Sequence, residues 1–268
     1  MDNRPIGIFD SGVGGLSALR RLTEKAPGES FVYFGDTARA PYGDRPPEEI
    51  KIFSRRNARF LRSQGVKALI IACNTSTASA IAELTADNID IPVSGTVEPT
   101  AIEAAHVSTG GRIGVIATAG TVLSGIYEKT ILKYRPDARV LSQSCPKLVP
   151  LIESGHIAPS DGALTAALEE YLAPLMEVDT LVLGCTHYPL IAAAIRQVMG
   201  RDIPMVDSGS ACTEAVLKKL AAADALAAES SRRRERFYCS ARREDFTAVA
   251  RTFLGRDIDA DTQEIDIG

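Results

Sequence analysis

The chain has 268 residues, enough for two modest domains or one large domain. Its formal net charge is -4 at pH 7, whereas a dedicated nucleic-acid-binding protein usually carries a basic stripe. The one concentrated basic run, at residues 232–234, is followed at once by Glu235, and we interpret it as a solvated face. No stretch approaches the roughly 18 apolar residues of a membrane span. We therefore expect neither a nucleic-acid partner nor a membrane.

The five cysteines are odd in number and scattered along the chain, a distribution that does not indicate a disulfide framework. The N-terminal segment lacks the charged and apolar regions of a signal peptide. We therefore expect a cytoplasmic protein in which each cysteine remains a thiol, either buried in the core or reactive.

Short apolar runs alternate with amphipathic stretches along the first part of the chain. They predict strands at residues 6–9, 31–34, 66–72 and 91–95, and helices at residues 16–25, 47–64, 76–84 and 99–106. Apolar strands that alternate with helices are typical of parallel sheets covered on both faces. The expected class is therefore α/β.

Two pairs of segments repeat from the first half of the chain to the second. The apolar run at residues 67–72 ends in Cys73-Asn74-Thr75, and the run at residues 179–184 ends in Cys185-Thr186-His187. The run that begins at Ile6 is matched by one that begins at Ile113, which places Ser11 opposite Thr118. A chain that repeats itself in this way predicts two similar parallel-sheet α/β domains related by pseudo-twofold symmetry, with the active site in the cleft between them.

The repeat sets the expected division of the chain. We expect residues 1–97 plus 207–268 to form the first α/β domain and residues 98–206 to form the second. A strand at residues 203–207 and a helix at residues 211–223 are expected to cross back and complete the first unit. A strand at residues 236–240 and a helix at residues 242–254 follow, and the acidic tail from residue 257 to 268 is expected to be weakly structured.

The glycine-rich segment at residues 10–15, Asp-Ser-Gly-Val-Gly-Gly, follows a strand and opens a helix. Backbone amides at such a turn favour an anion. The spacing is not that of a dinucleotide-binding loop, and Asp10 would repel a pyrophosphate, so a carboxylate beside Ser11 fits better. A capped strand-to-helix turn without a ligand remains the alternative.

The two cysteines of the repeat are the best candidates for chemistry. Parallel sheets place ligands at the carboxyl ends of their strands, where Cys73 and Cys185 lie, and a helix N-terminus lowers the pKa of a thiol. A single such cysteine would more often be a core residue, but the matched pair favours function. We interpret Cys145, Cys212 and Cys239 as structural.

Three further residues have a less specific setting. His187 lies two residues after Cys185 and could exchange a proton with it or serve only as a hydrogen-bonded histidine. A metal is not expected, because the chain has only three histidines and no Cys-x-x-Cys pair. Tyr42 lies in a Pro/Gly loop suited to a pocket wall. Glu153, taken alone, would be a residue on the surface of a helix.

Taken together, the motifs resemble the cofactor-independent Asp/Glu racemase family, and within it the glutamate racemases. The similarity covers nearly the whole chain and rests on five motifs in order: residues 9–15, 41–43, 72–75, 148–153 and 184–189. The resemblance implies that Cys73 and Cys185 are the catalytic acid and base, that Asp10 assists Cys73, and that Glu153 and His187 assist Cys185. It also implies substrate contacts at Asp10, Ser11, Tyr42, Gly43, Asn74, Thr75, Thr118, Thr186 and His187.

The implied reaction is the interconversion of L- and D-glutamate by proton transfer at Cα, without a cofactor, which supplies D-glutamate for peptidoglycan and so for cell-wall biogenesis and cell shape. A racemase of aspartate or of another acidic amino acid, or a decarboxylase of the same fold, is the nearest alternative. A non-catalytic anion-binding protein is an alternative of another class. Glutamate is the expected partner, and a homodimer is left open.

Overall fold

The computed structural model describes residues 1–268 as alternating strands and helices. The first part of the chain forms β1 (Ile6–Asp10), α1 (Leu16–Lys25), β2 (Phe31–Gly35), α2 (Pro47–Ser63), β3 (Ala68–Ile71), α3 (Asn74–Asp87), β4 (Val93–Gly95) and α4 (Val97–Val107). Each of these elements was predicted from the sequence. The helix α3 begins before the expected residue 76, because Cys73 caps it and its sulfur accepts the Ser76 amide at 3.4 Å.

The second part of the chain repeats this alternation and then adds three elements. It forms β5 (Arg112–Ala117), α5 (Ala119–Leu123), α6 (Ile126–Tyr134), β6 (Arg139–Ser144), α7 (Leu148–Glu153), α8 (Gly162–Leu172), β7 (Thr180–Gly184), α9 (Ala192–Met199), β8 (Met205–Asp207), α10 (Ser208–Ala222), β9 (Glu235–Cys239), α11 (Arg243–Leu254) and β10 (Thr262–Glu264). No helix has the length and apolar character that crossing a membrane requires.

The strands form two parallel sheets with the same internal order. The first sheet runs β10-β9-β2-β1-β3-β4, and the second runs β6-β5-β7-β8. In each sheet the first strand of the repeat is central: Ile6 pairs with Phe31 and Ala68, and Ile113 pairs with Val140 and Thr180. The predicted α/β class with two similar parallel sheets is therefore confirmed.

One prediction about the crossing between the halves is wrong. The strand β8 does not complete the first unit, because it pairs with β7 in the second sheet, where it takes the place that β4 takes beside β3. The chain crosses back only afterwards, in α10, which packs against both α1 and α4. The fourth strand covers the edge of β7, whose backbone groups would otherwise lack partners.

The acidic tail is also more ordered than expected. The strand β10 pairs with β9 in register, with Thr262 opposite Phe237, and it extends the first sheet by one strand. Ile258 and Thr262 are buried, while Ile265 and Ile267 pack against the core. These spaced apolar residues anchor the segment, although its acidic residues had indicated weak structure.

The core has a layer on each face of each sheet, as parallel sheets require. Alternate residues of β1 point to opposite faces, so Ile6 and Ile8 pack with α1 and α10, whereas Phe9 packs with residues of α2 and α3. The second sheet divides its core in the same way. Cys212 and Cys239 lie in the first of these layers, which agrees with their structural interpretation.

Candidate active site

A cavity of about 300 Å³ lies between the two sheets, where the carboxyl ends of their central strands face each other. Its walls come from the segments after β1, β2, β3, β5, β6 and β7, together with α7. Every site residue expected from the sequence lines it: Asp10, Ser11, Tyr42, Gly43, Cys73, Asn74, Thr75, Thr118, Glu153, Cys185, Thr186 and His187. A larger groove of about 1110 Å³ lies beside α4 and α10, but no cysteine lines it.

Cys73 lies at the start of α3 and is only 5% exposed. Its sulfur accepts the Ser76 amide and lies 3.7 Å from the Ser11 hydroxyl oxygen. Burial raises the pKa of the Cys73 thiol to about 11, and the nearby charge of Asp10 acts in the same direction. The helix N-terminus only partly offsets this, so Cys73 is a protonated thiol at neutral pH.

Asp10 is fully enclosed beside that thiol. Its Oδ1 accepts the Gly12 amide at 2.9 Å, and no hydrogen bond joins it to Cys73. Burial raises the pKa of Asp10, while the positive charge of His187 acts to lower it. Asp10 therefore influences Cys73 through its electric field and not through direct proton exchange in this conformation.

Cys185 has a different neighbourhood, built from a histidine and a glutamate. The Cys185 sulfur lies 3.7 Å from Nδ1 of His187, and Nε2 of the same ring lies 2.9 Å from Oε1 of Glu153. Burial acts to lower the pKa of His187, but the hydrogen bonds to Cys185 and Glu153 outweigh it and raise the pKa to about 10. His187 is therefore an imidazolium at neutral pH, with Glu153 as its counter-ion.

The two halves meet through hydroxyl and amide groups at the cavity. Thr75 Oγ1 lies 3.0 Å from Thr118 Oγ1 and 3.3 Å from Thr121 Oγ1. The side chain of Asn74 donates to Ser208 Oγ at 3.0 Å and accepts from the Tyr127 hydroxyl at 2.6 Å. Asn74 is thus held by Tyr127 of the opposite half and by Ser208 at the start of α10.

Glycine allows one particularly close approach between the halves. A Cβ atom at Gly14 would lie 2.3 Å from Thr186 Oγ1 and 2.5 Å from His187 Nδ1, distances that no side chain tolerates. The glycine-rich segment predicted to bind an anion therefore also positions the Cys185 side of the cavity.

Tyr42 lines the cavity, but its hydroxyl points elsewhere. It donates to Asp36 Oδ2 at 2.5 Å and accepts from the Asn57 amide at 3.2 Å. Burial raises the pKa of Tyr42 well above its ordinary value, and the charge of Asp36 adds to the effect. The ring serves as wall, while the neighbouring Gly43 carbonyl accepts the Gly120 amide of the other half at 2.9 Å.

Besides Asp44, the sequence missed two lining residues that carry polar chemistry. Cys145, interpreted as structural, lies in the cavity wall, where burial raises the pKa of its thiol to about 12 and the charge of Cys185 adds to the effect. It follows β6 as Cys185 follows β7, but the polar β6 was not recognised as a strand. Arg242 is the second, and no motif in the sequence singled it out.

The chain matches the family model for Asp/Glu/Hydantoin racemase over residues 6–216. A glutamate racemase of Streptococcus equi is 42% identical over 263 residues, covering 97% of this chain and 98% of the relative. A glutamate racemase structure from Bacillus anthracis superposes with a TM-score of 0.93 at 34% identity, covering 99% of this chain and 98% of that one. A Francisella tularensis glutamate racemase in complex with D-glutamate superposes with a TM-score of 0.91 at 33% identity, covering 100% and 99%. The chain therefore belongs to the Asp/Glu/Hydantoin racemase family, in the group of the glutamate racemases.

Proposed function

We propose that the protein interconverts L- and D-glutamate by moving the Cα proton between two thiols. The observation that carries the proposal is the placement of Cys73 and Cys185 in one cavity, each just after an interior strand of its own sheet, Cys73 after β3 and Cys185 after β7. Two acid–base groups contributed by opposite walls can act on opposite faces of one carbon. A single thiol would have to change faces during each turnover.

The surroundings of the thiols support a definite starting state. Cys73 begins as a thiol, since burial and Asp10 oppose its ionisation. Cys185 is assigned the role of the base, since its sulfur lies 3.7 Å from the imidazolium of His187, whose positive charge stabilises a negative sulfur. The Cys185 thiolate removes the proton from one face, and the Cys73 thiol delivers a proton to the other. The reverse direction starts with the proton on Cys185 and the negative charge on Cys73.

A Cα proton is far less acidic than a thiol, so the carbanion must be stabilised by the site. The amides at the start of α3 and the hydroxyls of Ser11, Thr75 and Thr118 are the donors available to the substrate carboxylates. In the proposed reaction, exclusion of water by the cavity walls around the bound substrate strengthens these interactions. The proposal requires no cofactor and no metal.

The same proposal extends to the setting of the reaction. The product D-glutamate would serve peptidoglycan synthesis in the cytoplasm, where reducing conditions keep both catalytic thiols free. No nucleic-acid partner is required, and a homodimer remains compatible with the chemistry. The chain would divide into residues 1–97 plus 207–268 and residues 98–206, a division that the two separate sheets support.

The test is racemisation by the purified protein without additions. We expect L-glutamate to be converted to a mixture of both enantiomers, followed by chiral chromatography, with the same rate after EDTA and after a carbonyl reagent that traps pyridoxal phosphate. Aspartate, assayed in parallel, should react much more slowly. Restoration of a lost activity by a metal or by pyridoxal phosphate would contradict the proposal, and preferred turnover of aspartate would reassign the substrate.

A further inference from the structure

Arg242 is the only lysine or arginine among the residues that line the cavity. The other ionisable lining residues, apart from the cysteines, Tyr42 and His187, are the carboxylic acids Asp10, Asp44 and Glu153. Arg242 is exposed, so it stands at the mouth and not in the depth of the cavity. An anionic substrate that enters therefore meets one fixed positive side chain before it reaches His187.

Arg242 differs from the arginines around it because it has no carboxylate partner. Arg39 lies 2.9 Å from Asp36, Arg45 lies 3.3 Å from Glu49, and Arg243 lies 2.7 Å from Asp259. These three charges are neutralised within the protein. The charge of Arg242 stays available to a ligand.

The guanidinium of Arg242 is nevertheless held in place. Its Nη2 donates to the Thr37 carbonyl at 2.7 Å, which leaves its other N–H donors free. Its backbone has φ of 55° and ψ of 52° at the start of α11, a left-handed conformation that non-glycine residues seldom adopt. The fold thus presents this side chain from a fixed position beside the loop of Tyr42 and Gly43.

Glutamate at neutral pH carries two carboxylates and one ammonium group, so it enters as a monoanion. The protein has a net charge of -4, and the cavity itself contributes three acidic side chains. Without a cation at the mouth, the substrate would approach a negative potential. Charges at the rim of a site change the rate of capture more than they change the chemistry.

We propose that Arg242 is a substrate-capture residue, which attracts acidic amino acids to the cavity mouth and so favours dicarboxylates over neutral amino acids. The inference rests on the proposed function and adds to it a selectivity device outside the thiol machinery. Arg242 takes no part in the proton transfer.

The test compares three variants over a range of ionic strength. Arg242→Asn removes the charge with a residue that tolerates the left-handed backbone, and Arg242→Lys retains the charge. Arg59→Gln is the matched control, since it removes one charge from an exposed position of α2 that does not line the cavity. The measurements are kcat and KM for L-glutamate between about 20 mM and about 500 mM NaCl, a range over which screening becomes strong.

We expect Arg242→Asn to lower kcat/KM about fivefold to twentyfold at low salt, through KM, with kcat changed less than about twofold. The deficit should shrink to about twofold at high salt, and Arg242→Lys and Arg59→Gln should behave like the unaltered protein. A deficit that is independent of salt, or that lies in kcat, would overturn the inference, as would equal behaviour of Arg242→Asn and Arg59→Gln.

Two further measurements are the salt dependence of the unaltered protein, which needs no variant, and glutarate binding, which needs no turnover. The kcat/KM of the unaltered protein should fall as salt rises, and a flat or rising profile contradicts the inference even if Arg242→Asn does not fold. Binding of glutarate, a dicarboxylate without the ammonium group, is measured by calorimetry for the same proteins. If the unaltered protein does not racemise glutamate but Arg242→Asn binds glutarate more weakly than it does, the proposed function is contradicted and the capture role of Arg242 is supported.

Discussion

The two thiols occupy equivalent positions in the repeat, yet their surroundings are opposite in charge. Cys73 is buried beside the carboxyl group of Asp10, and its sulfur forms hydrogen bonds only with neutral groups, the Ser11 hydroxyl and the Ser76 amide. Cys185 lies 3.7 Å from an imidazole that Glu153 keeps protonated. The two halves therefore share one backbone arrangement but place charges of opposite sign beside the two sulfurs.

In the proposed reaction, this difference explains how one site can hold an acid and a base at once. Two identical surroundings would either protonate both sulfurs or ionise both, and neither state can racemise. Enzymes often give two similar groups the separate roles of acid and base by placing them in surroundings that favour different protonation states. Substitution of single residues in these two surroundings removes one part of this difference at a time.

The largest effect is expected when either sulfur is removed. Cys73→Ser and Cys185→Ser should each lower kcat by about 10³-fold or more, because a hydroxyl is too weak an acid to replace a thiol in either role. Cys239→Ser, at a buried position outside the cavity, is the matched control and should retain activity within about threefold if it folds. Near-normal turnover in either cavity variant would end the two-thiol account. Cys145→Ser, expected to retain substantial activity, tells whether the third thiol in the wall is only structural.

A smaller effect, and one with a direction, is expected at His187 and Asp10. His187→Asn should lower kcat about tenfold more in the direction begun by Cys185 than in the other, and Asp10→Asn should show the opposite bias. The equilibrium constant stays at one for mirror-image substrates, so the KM values must change to compensate. His156→Asn, at a histidine outside the cavity, is the control.

The check is the full set of kinetic constants in both directions, with exchange of the Cα hydrogen from each enantiomer in deuterium oxide. Equal slowing from both enantiomers in both variants would show that neither residue serves one face.

The pH dependence should change shape when the imidazolium is removed. In the unaltered protein kcat/KM should fall above about pH 10, because His187 loses its proton there and with it the positive charge beside the Cys185 sulfur. Without this cation, His187→Asn should lack the fall near pH 10 and should lose activity only as the Cys73 thiol ionises near pH 11. The substrate ammonium titrates in both proteins, so the difference between the two profiles is the quantity to measure. Parallel profiles would contradict the role of His187.

The smallest effect is expected at Glu153, whose side chain is 44% exposed. Glu153→Gln keeps an oxygen for the His187 ring but removes the counter-charge, so kcat should fall only about threefold to tenfold, since exposed ion pairs are weak. Glu169→Gln, at an exposed position of α8, is the control and should have no effect. A loss as large as that of Cys185→Ser would mean that Glu153 takes part directly in the proton transfer.

Local sequence was sufficient wherever a single segment decides the outcome. The apolar strands that end at Cys73 and Cys185 could be recognised because every residue in them is buried, and their likeness predicted two matching sheets. The site residues followed from the same motifs, since the carboxyl ends of parallel strands gather at one edge.

What the sequence missed depends on contacts between distant segments. The edge strand β6 reads Arg-Val-Leu-Ser-Gln-Ser, with only two adjacent apolar residues, so it was not recognised as a strand and the position of Cys145 could not be inferred. The placement of β8 depended on which edge it would cover, and β10 depended on pairing with β9. Arg242 reaches the cavity only because α11 packs against α1, which no local pattern reveals.

The most direct test of the two-thiol account is the isotopic composition of the first product formed in deuterium oxide. L-Glutamate with ordinary hydrogen at Cα is converted for a few per cent of the reaction, and the D-glutamate is separated and weighed by mass spectrometry. If one sulfur takes the proton and a different, solvent-exchanged sulfur delivers another, every molecule of early product carries deuterium. D-Glutamate that retains a substantial fraction of the original hydrogen would show that one group serves both faces, and would contradict the account.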